Sequence, residues 1–505
     1  MQKIKEIYEM LSSTPSDINE HLPTLFRYAQ ECDSVFETGV RGCISSWAFV
    51  YGLLTGKKST NPKFMLLNDL YECNIKDLVY SSLNEDIKLN YVWKNNLEVE
   101  FDKTYDLTFI DTWHVYGQLK RELEKLSKVT NKYIIMHDTT VDEWYGETMR
   151  MGFNAVQQSL ETGFPLEEIN KGLWPAVEEF LQNNPDWYLH ERYTNNNGLT
   201  ILKKIKLYPI SFAIPKIKII DETNNIEKKE KVISDIIPDY SRNYIYDCEE
   251  DYYNEYKKSL FALTTKKAGW DCLRHYEIIA NGCIPYFLHI DLCPKNTMTH
   301  LPKQLLYEGV ELYEKCCRYK DISEVPENIM QECKELSTNL ISFMKEHLTT
   351  QKMAEYILEK TGYKNVSNVL YLSSNAHPDY LRCLMLHGFK EKFGEKCHDY
   401  IKIPHIYKSE LNNYTTLYGK GITYTNLLDD SFRDNNLDAT IERDIENHKY
   451  DVIIYGSCSR GMPYYDLIRS AYKPDEVILL CGEDESNYDY SFYTKEGHHV
   501  FVREL

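Results

Sequence analysis

Along the chain, short apolar runs alternate with stretches whose apolar positions recur at helical spacing, the alternation expected of an α/β protein. The first series of runs is Val35-Phe36, Phe64 to Leu67, Leu107 to Ile110 and Tyr133 to Met136, with helix-periodic sequence between them. It finishes with Trp187 to Arg192, the turn Thr194-Asn195-Asn196-Asn197-Gly198, and Leu199 to Leu202. That last piece predicts an antiparallel hairpin, because Asn and Gly supply the positive φ angles of a tight turn. A first domain is therefore expected over residues 1–204.

A second segment, 205–365, holds one compact strand, loop, helix and strand between Ser259 and Phe287 and ends in helical sequence around Met353 to Lys360. A third, 366–505, runs from the strand and loop after Asn368 through Tyr450 to Gly456 and Glu476 to Gly482, again strand followed by loop. The lysine-rich, acidic stretch from Asp221 to Lys231 reads as a solvated connection or exposed helix. No fixed-period repeat or low-complexity tract interrupts the pattern.

Composition narrows the class. Of 505 residues, 43% are hydrophobic and 27% charged, a globular balance rather than a disordered one. The net charge of -19 excludes a phosphate backbone or an anionic membrane as the main partner, since affinity there comes from clustered Lys and Arg. No run approaches the ~18 apolar residues of a membrane span, and the opening residues lack a signal-like apolar core. A soluble, cytoplasmic protein without a transmembrane segment is expected. The 14 Cys include no CxxC pair, so neither a zinc site nor a disulfide framework is indicated. Oligomeric state is not legible.

Candidate chemistry begins at Val35 to Ser46, VFETGVRGCISS, a strand entering a glycine-punctuated turn and then a helix near Ser45. Gly39 and Gly42 allow close approach of a ligand, and a helix N-terminus offers free N–H groups. The next strand ends in Asp69, placed to bind a ribose diol at the carboxyl edge of the sheet or to cap the following helix. Two further strands end in Ile110-Asp111-Thr112-Trp113-His114 and Met136-His137-Asp138, so two carboxylates and two imidazoles enter one crevice. Oxygen ligands on adjacent strands suit Mg²⁺ or another divalent cation, which lowers the pKa of a coordinated hydroxyl. The bland alternative is that Asp111 and Asp138 cap helices and the histidines orient loops.

The stretch from Asp17 to Leu22, through ETGVRGCISSWAFVYGLL, YDLTFIDTWHVYGQLKREL, YIIMHDTT and GLWPAVEEFL, to ERYTNNNGLTIL, resembles the class I S-adenosylmethionine-dependent methyltransferases of the cephalosporin-hydroxylase-like group. The resemblance covers nearly all of residues 10–204. It implies a Rossmann-like fold, S-adenosylmethionine over the turn at Glu37, Gly39, Gly42 and Ser45 with its ribose near Asp69, and a metal held by Asp111, Asp138 and His137. His114 and His137 are the candidate catalytic groups.

In the second segment, SLFALTTKKAGWDCLRHYEIIANGCIPYF places Lys266, Lys267 and Arg274 beside a helix N-terminus, where they can neutralise a diphosphate. Gly269 permits close approach there. Glu277, one turn after Arg274, can accept from ribose hydroxyls; the alternative is a solvated Arg274–Glu277 surface pair. This stretch resembles the nucleotide-binding half of exostosin-like, two-lobed GT-B glycosyltransferases, and the third segment resembles their acceptor-side lobe. The order of the two lobes is reversed, so they look circularly permuted. The resemblance implies a nucleotide diphosphosugar donor. A catalytic base from the acceptor side would be His377 or Asp379, with Glu483 and Asp484 as rivals; each also fits a turn or helix-capping role.

The two resemblances together imply a bifunctional glycan-modifying enzyme, methyltransferase plus glycosyltransferase, acting on small-molecule donors and a glycan acceptor. The alternatives are an inactive enzyme-fold scaffold or assembly protein, and a first domain that uses its crevice for hydroxylation or hydrolysis.

Overall fold

The computed structural model describes residues 1–56, 62–221, 229–238, 246–409, 414, 416–484 and 489–505. The expected connection at Asp221 to Lys231 falls largely on 222–228, outside the described residues. The chain divides into two compact units, Met1–Ile205 and Lys206–Leu505. Among the described residues no helix is long and apolar enough to cross a membrane.

Among the described residues the first unit carries seven strands: β1 (Ser34–Thr38), β2 (Lys63–Asp69), β3 (Ile87–Trp93), β4 (Tyr105–Ile110), β5 (Thr130–His137), β6 (Trp187–Tyr193) and β7 (Leu199–Lys204). Their order is β3-β2-β1-β4-β5-β7-β6. Neighbours from β3 to β5 run parallel, and β7 is antiparallel to both β5 and β6. Near-continuous apolar runs suit strands buried on both faces. Successive side chains alternate sides. Val35, Phe109, Ile135 and Ile201 therefore join the core under the helix Ile44–Thr55, whereas Phe36, Ile134, Met136 and Leu202 join that of the helices Tyr116–Leu126 and Trp174–Asn183. The hairpin expected at 187–202 forms, with Asn196, Asn197 and Gly198 all at positive φ.

Among the described residues the second unit has nine strands: β8 (Leu207–Pro209), β9 (Lys231–Ile233), β10 (Ser259–Thr264), β11 (Ile284–Phe287), β12 (Val369–Leu372), β13 (Cys397–Tyr400), β14 (Val452–Tyr455), β15 (Val477–Cys481) and β16 (His499–Val502). They form two wholly parallel sheets, β11-β10-β9 and β13-β12-β14-β15-β16-β8. In chain order β12 to β16 follow the doubly wound 2-1-3-4-5 arrangement. The sequence division at 365/366 does not separate the strands, because β8 lies in the sheet built by 366–505. One apolar cluster also joins Leu336 and Ile357 to Leu381 and Phe389.

Candidate functional sites

In the first unit the parallel register brings Thr38 opposite Ile110, and Ile110 opposite Met136. The residues that leave β1, β4 and β5 therefore emerge side by side at the carboxyl edge. This is also where the strand order reverses, the usual place for a crevice in an open α/β sheet. Gly39 sits there with φ +88°, and a Cβ on it would lie 1.7 Å from the Asp111 carbonyl oxygen. Its glycine requirement is thus met by the neighbouring chain. Gly42 differs: a Cβ there would make only an ordinary van der Waals contact, 3.9 Å from the Ile44 side chain.

Glu37 lies beneath this turn, fully buried. Its carboxylate accepts hydrogen bonds from the Ser45 hydroxyl and, at 2.6 Å, from Ser46 Oγ, pinning the start of the Ile44–Thr55 helix. Burial pushes the Glu37 carboxyl up to about 7, against the pull of the two serine hydroxyls. Asp69 accepts from the Arg41 and Tyr71 backbone N–H groups, each at 2.9 Å. It clamps the glycine turn to the end of β2 and caps no helix.

Asp111, His114 and Asp138 present ligand atoms all within 4.8 Å of one another. His114 Nε2 is 3.2 Å from Asp111 Oδ1 and 3.2 Å from Asp138 Oδ2. On its other side, His114 Nδ1 is 3.2 Å from Oδ2 of Asp142, whose carboxylate receives Arg150 in a two-pronged pair at 2.7 and 2.8 Å. His137 Nε2 faces two carbonyl oxygens, Asp17 O at 3.1 Å and Asn196 O at 3.2 Å, and therefore carries the proton. Its Nδ1 is buried without a hydrogen-bond partner and points toward Asp111 Oδ2 and Asp138 Oδ2, 3.5 and 3.6 Å away. Of the two imidazoles, His114 rather than His137 completes the close cluster with the carboxylates. Burial would raise the Asp111 carboxyl, but the two imidazoles outweigh it and hold it well below the usual range. For His114 burial acts downward, and Asp111 and Asp142 reverse it. Neither Asp111 nor Asp138 caps a helix.

Sequence reasoning missed Asp142 and Arg150. Both stand in a loop with no periodic pattern, and nothing in VDEWYGETMR announces that Asp142 is buried.

In the second unit a cavity of about 550 Å³ lies between the carboxyl ends of the two parallel sheets. Lys267, Arg274 and Glu277 line one side, and Asp379, Tyr418 and Arg460 the other. Arg274 and Glu277 are each 6% exposed, which rules out a solvated surface pair. Arg274 donates to Thr264 Oγ1 and to the Thr265 carbonyl, both at 3.1 Å. Glu277 accepts from Tyr252 OH at 2.8 Å and Thr423 Oγ1 at 2.5 Å. Lys266 is not among the lining residues and lies over the Trp270 ring at 5.6 Å. The bare Cα of Gly269 faces the Glu504 carboxylate, not open space. Glu504 takes the backbone N–H groups of Trp270 and Asp271 at 3.0 and 2.9 Å.

His377 is exposed and lies outside the cavity lining. Asp379 does double service: Oδ1 caps the helix Tyr380–Phe393 through Arg382 N–H at 3.0 Å, and Oδ2 pairs with Arg460 Nε at 3.0 Å. Arg460, which sequence reasoning missed, is also 3.7 Å from Glu483. Asp484 lines the cavity and pairs with Arg503.

No protein-family profile matches the chain, and no curated protein matches it. Solved structures similar to part of it include an O-methyltransferase from Bacillus cereus in complex with SAH, at 13% identity over 40% of this chain and 91% of that one, TM-score 0.26. An SAH-bound methyltransferase from Podospora anserina is 14% identical over 40% and 87%, TM-score 0.25. An N-methyltransferase from Bradyrhizobium japonicum is 11% identical over 37% and 96%, TM-score 0.24.

Proposed function

We propose that the first unit transfers the methyl group of S-adenosylmethionine to a hydroxyl oxygen. The observation that carries this reading is the crevice at the reversal point of the sheet. It combines a glycine turn clamped by Asp69, a Gly42 position uncrowded by neighbouring chain, and four titratable groups from β4, β5 and the residues that follow them. The strand order, with an antiparallel β7 between β5 and β6, is that of class I methyltransferases. The sulfonium cofactor lies over the turn at Gly39 and Gly42, its ribose diol on the free lone pairs of Asp69. Glu37 and Ser45 act from below by fixing the turn.

Methyl transfer breaks the S–CH₃ bond, forms an O–CH₃ bond and releases the hydroxyl proton. His137 Nδ1, unpartnered and aimed into the crevice, is the group placed to accept that proton. Alignment of oxygen, carbon and sulfur supplies most of the acceleration in such a displacement. The Mg²⁺ that the family resemblance implies fits this donor set poorly, because an imidazole nitrogen stands between the two carboxylates where Mg²⁺ takes oxygen. No step is routed through it. Isothermal titration with S-adenosylmethionine tests the reading: wild type should bind and Asp69→Ala should bind at least about tenfold more weakly. Absence of binding by wild type would overturn it.

For the second unit we propose nucleotide-diphosphosugar-dependent glycosyl transfer of GT-B type, with a glycan as the acceptor common to both units. What supports it is a cavity between the carboxyl edges of two parallel sheets, with Lys267 and Arg274 facing Arg460 and Asp379. The two arginines and the lysine offset diphosphate charge without a metal. Uridine diphosphate titrated into the full chain should bind, and Arg274→Ala should lose about tenfold or more. Failure of this nucleotide and the other common nucleoside diphosphates to bind would favour the scaffold reading.

A further inference from the structure

Glu277 stands on the helix Leu273–Ala280, beside the three-stranded sheet, yet one of the hydrogen bonds that hold its carboxylate comes from the six-stranded side. The loop between β13 and β14 brings Thr423 to it, and Thr423 Oγ1 donates to Glu277 Oε1 at 2.5 Å. We propose that Thr423 is a positioning residue for nucleotide recognition: it fixes the Glu277 carboxylate to receive the ribose diol of the donor, so that ribose recognition on one side of the cavity depends on a residue from the other. This rests on the nucleotide-diphosphosugar reading of the cavity and adds to it a residue that the ligand does not touch.

The backbone is the first argument. Thr423 has φ +75°, a left-handed conformation that a β-branched residue rarely takes and that glycine takes without strain. Its N–H is held there by Glu249 Oε2 at 2.7 Å, and Lys218 in turn holds Glu249. Residues kept in such conformations cluster at functional sites, and what threonine supplies here that glycine lacks is a hydroxyl. That hydroxyl has a single hydrogen. It goes to Glu277, so Tyr253 OH, 2.6 Å away, donates to Thr423 Oγ1. In the relay from Tyr253 through Thr423 to Glu277 each bond polarises and strengthens the next.

The carboxylate is the second. Tyr252 OH donates to Glu277 Oε2 at 2.8 Å. A carboxylate has about four acceptor sites; these two donors take one on each oxygen and fix the plane of the group, so each oxygen keeps a site for one hydroxyl of a vicinal diol. Glu277 lines the cavity, whereas Thr423 is 0% exposed and is not among the lining residues. The roles therefore separate: Glu277 meets the ligand, and Thr423 acts through Glu277.

Calorimetric titration of the full chain with uridine, adenosine, guanosine and cytidine diphosphates, each beside its 2′-deoxy form, tests this coupling. Wild type should bind one ribonucleotide about tenfold or more tightly than its deoxy form, the difference made by one hydrogen bond to a charged group. Thr423→Ser, which keeps the hydroxyl, should hold that preference within about threefold. Thr423→Val, which keeps the shape and loses the hydroxyl, should bring the ribo and deoxy forms within about threefold of each other, mainly by weakening the ribo form. Thr423→Gly suits φ +75° and also lacks the hydroxyl; it should do the same, and it decides the matter if circular dichroism shows that Thr423→Val does not fold. Three results would overturn the role of Thr423 and leave the donor reading standing: a wild type that binds both forms alike, a preference intact in the Val and Gly variants, or an equal loss of both forms, as general damage would give. Absence of nucleotide binding by wild type would overturn both.

Discussion

A carboxylate buried to the last oxygen is a liability whose size depends on pH, and Glu37 is such a group. Its carboxyl sits at about 7, raised by burial against two serine donors, while an exposed glutamate titrates near ~4.3. Between those values the unfolded chain gives up a proton that the folded chain keeps. Glu37 therefore adds full stability below about pH 4.3, and the contribution declines until pH passes about 7. At ~1.4 kcal/mol per pH unit the swing is at most on the order of 3–4 kcal/mol. Glu37→Gln, which keeps hydrogen bonding to the serines, should flatten the fall in melting temperature between pH 5 and 8 relative to wild type. Parallel curves for the two proteins would show that Glu37 does not titrate in that window. A second residue-scale prediction separates the two roles of Asp379. Asn caps helices about as well as Asp, so Asp379→Asn should change the melting temperature little yet alter nucleotide affinity by removing the Arg460 pair. Asp379→Ala should lose the cap too, about 1 kcal/mol. Equal nucleotide affinity in wild type and Asp379→Asn would remove this pair from the site.

At the scale of elements, the two glycines of the first turn look alike in sequence and differ in consequence. Gly39→Ala must both adopt φ +88° and place a methyl against the Asp111 carbonyl, so it should destabilise by several kcal/mol and in the limit prevent folding. Gly42→Ala makes only an ordinary contact with the Ile44 side chain at 3.9 Å; its stability should stay within about 1 kcal/mol while S-adenosylmethionine affinity drops. A melt series and a titration on the pair decide it. The strands that bear these turns were legible from the short apolar runs they contain, Val35-Phe36 in β1, Leu107 to Ile110 in β4 and Tyr133 to Met136 in β5. β3 was not, since the exposed Lys88 and Asn90 of this edge strand interrupt the apolar pattern. The strand ends of the crevice, Asp69, Asp111, Asp138 and the two histidines, were legible for the same reason as the strands. Asp142, Arg150 and Arg460 were not: they act through loops whose approach depends on tertiary packing, and local sequence carries no periodic trace of that.

On the scale of the whole chain, the lesson is where it divides. Residues 1–205 have their own sheet and their own cores on both faces, so a piece ending at 205 should fold cooperatively by itself. A piece comprising 206–365 should not. It would carry β8 without the sheet that β8 edges, and would strand the apolar face that packs on Leu381 and Phe389. Thermal melts followed by circular dichroism on both pieces distinguish these outcomes, and cooperative melting of 206–365 would contradict the single-unit reading of 206–505.

The pairing of β8 with β16 also sets a timetable. Tyr208 and His499 touch across a sequence separation of 291, and among the described residues β8 pairs with no strand other than β16. At roughly 5–20 residues per second, a ribosome that has made β8 takes about 15–60 s to deliver its partner. Throughout that interval the 206–505 sheet has an unfinished margin, the kind of long-range closure that slows folding and exposes strand edges. The first unit can mature before the second, which becomes complete only once β16 has been made. Its yield in a cell should therefore depend on chaperone supply far more than that of the first unit.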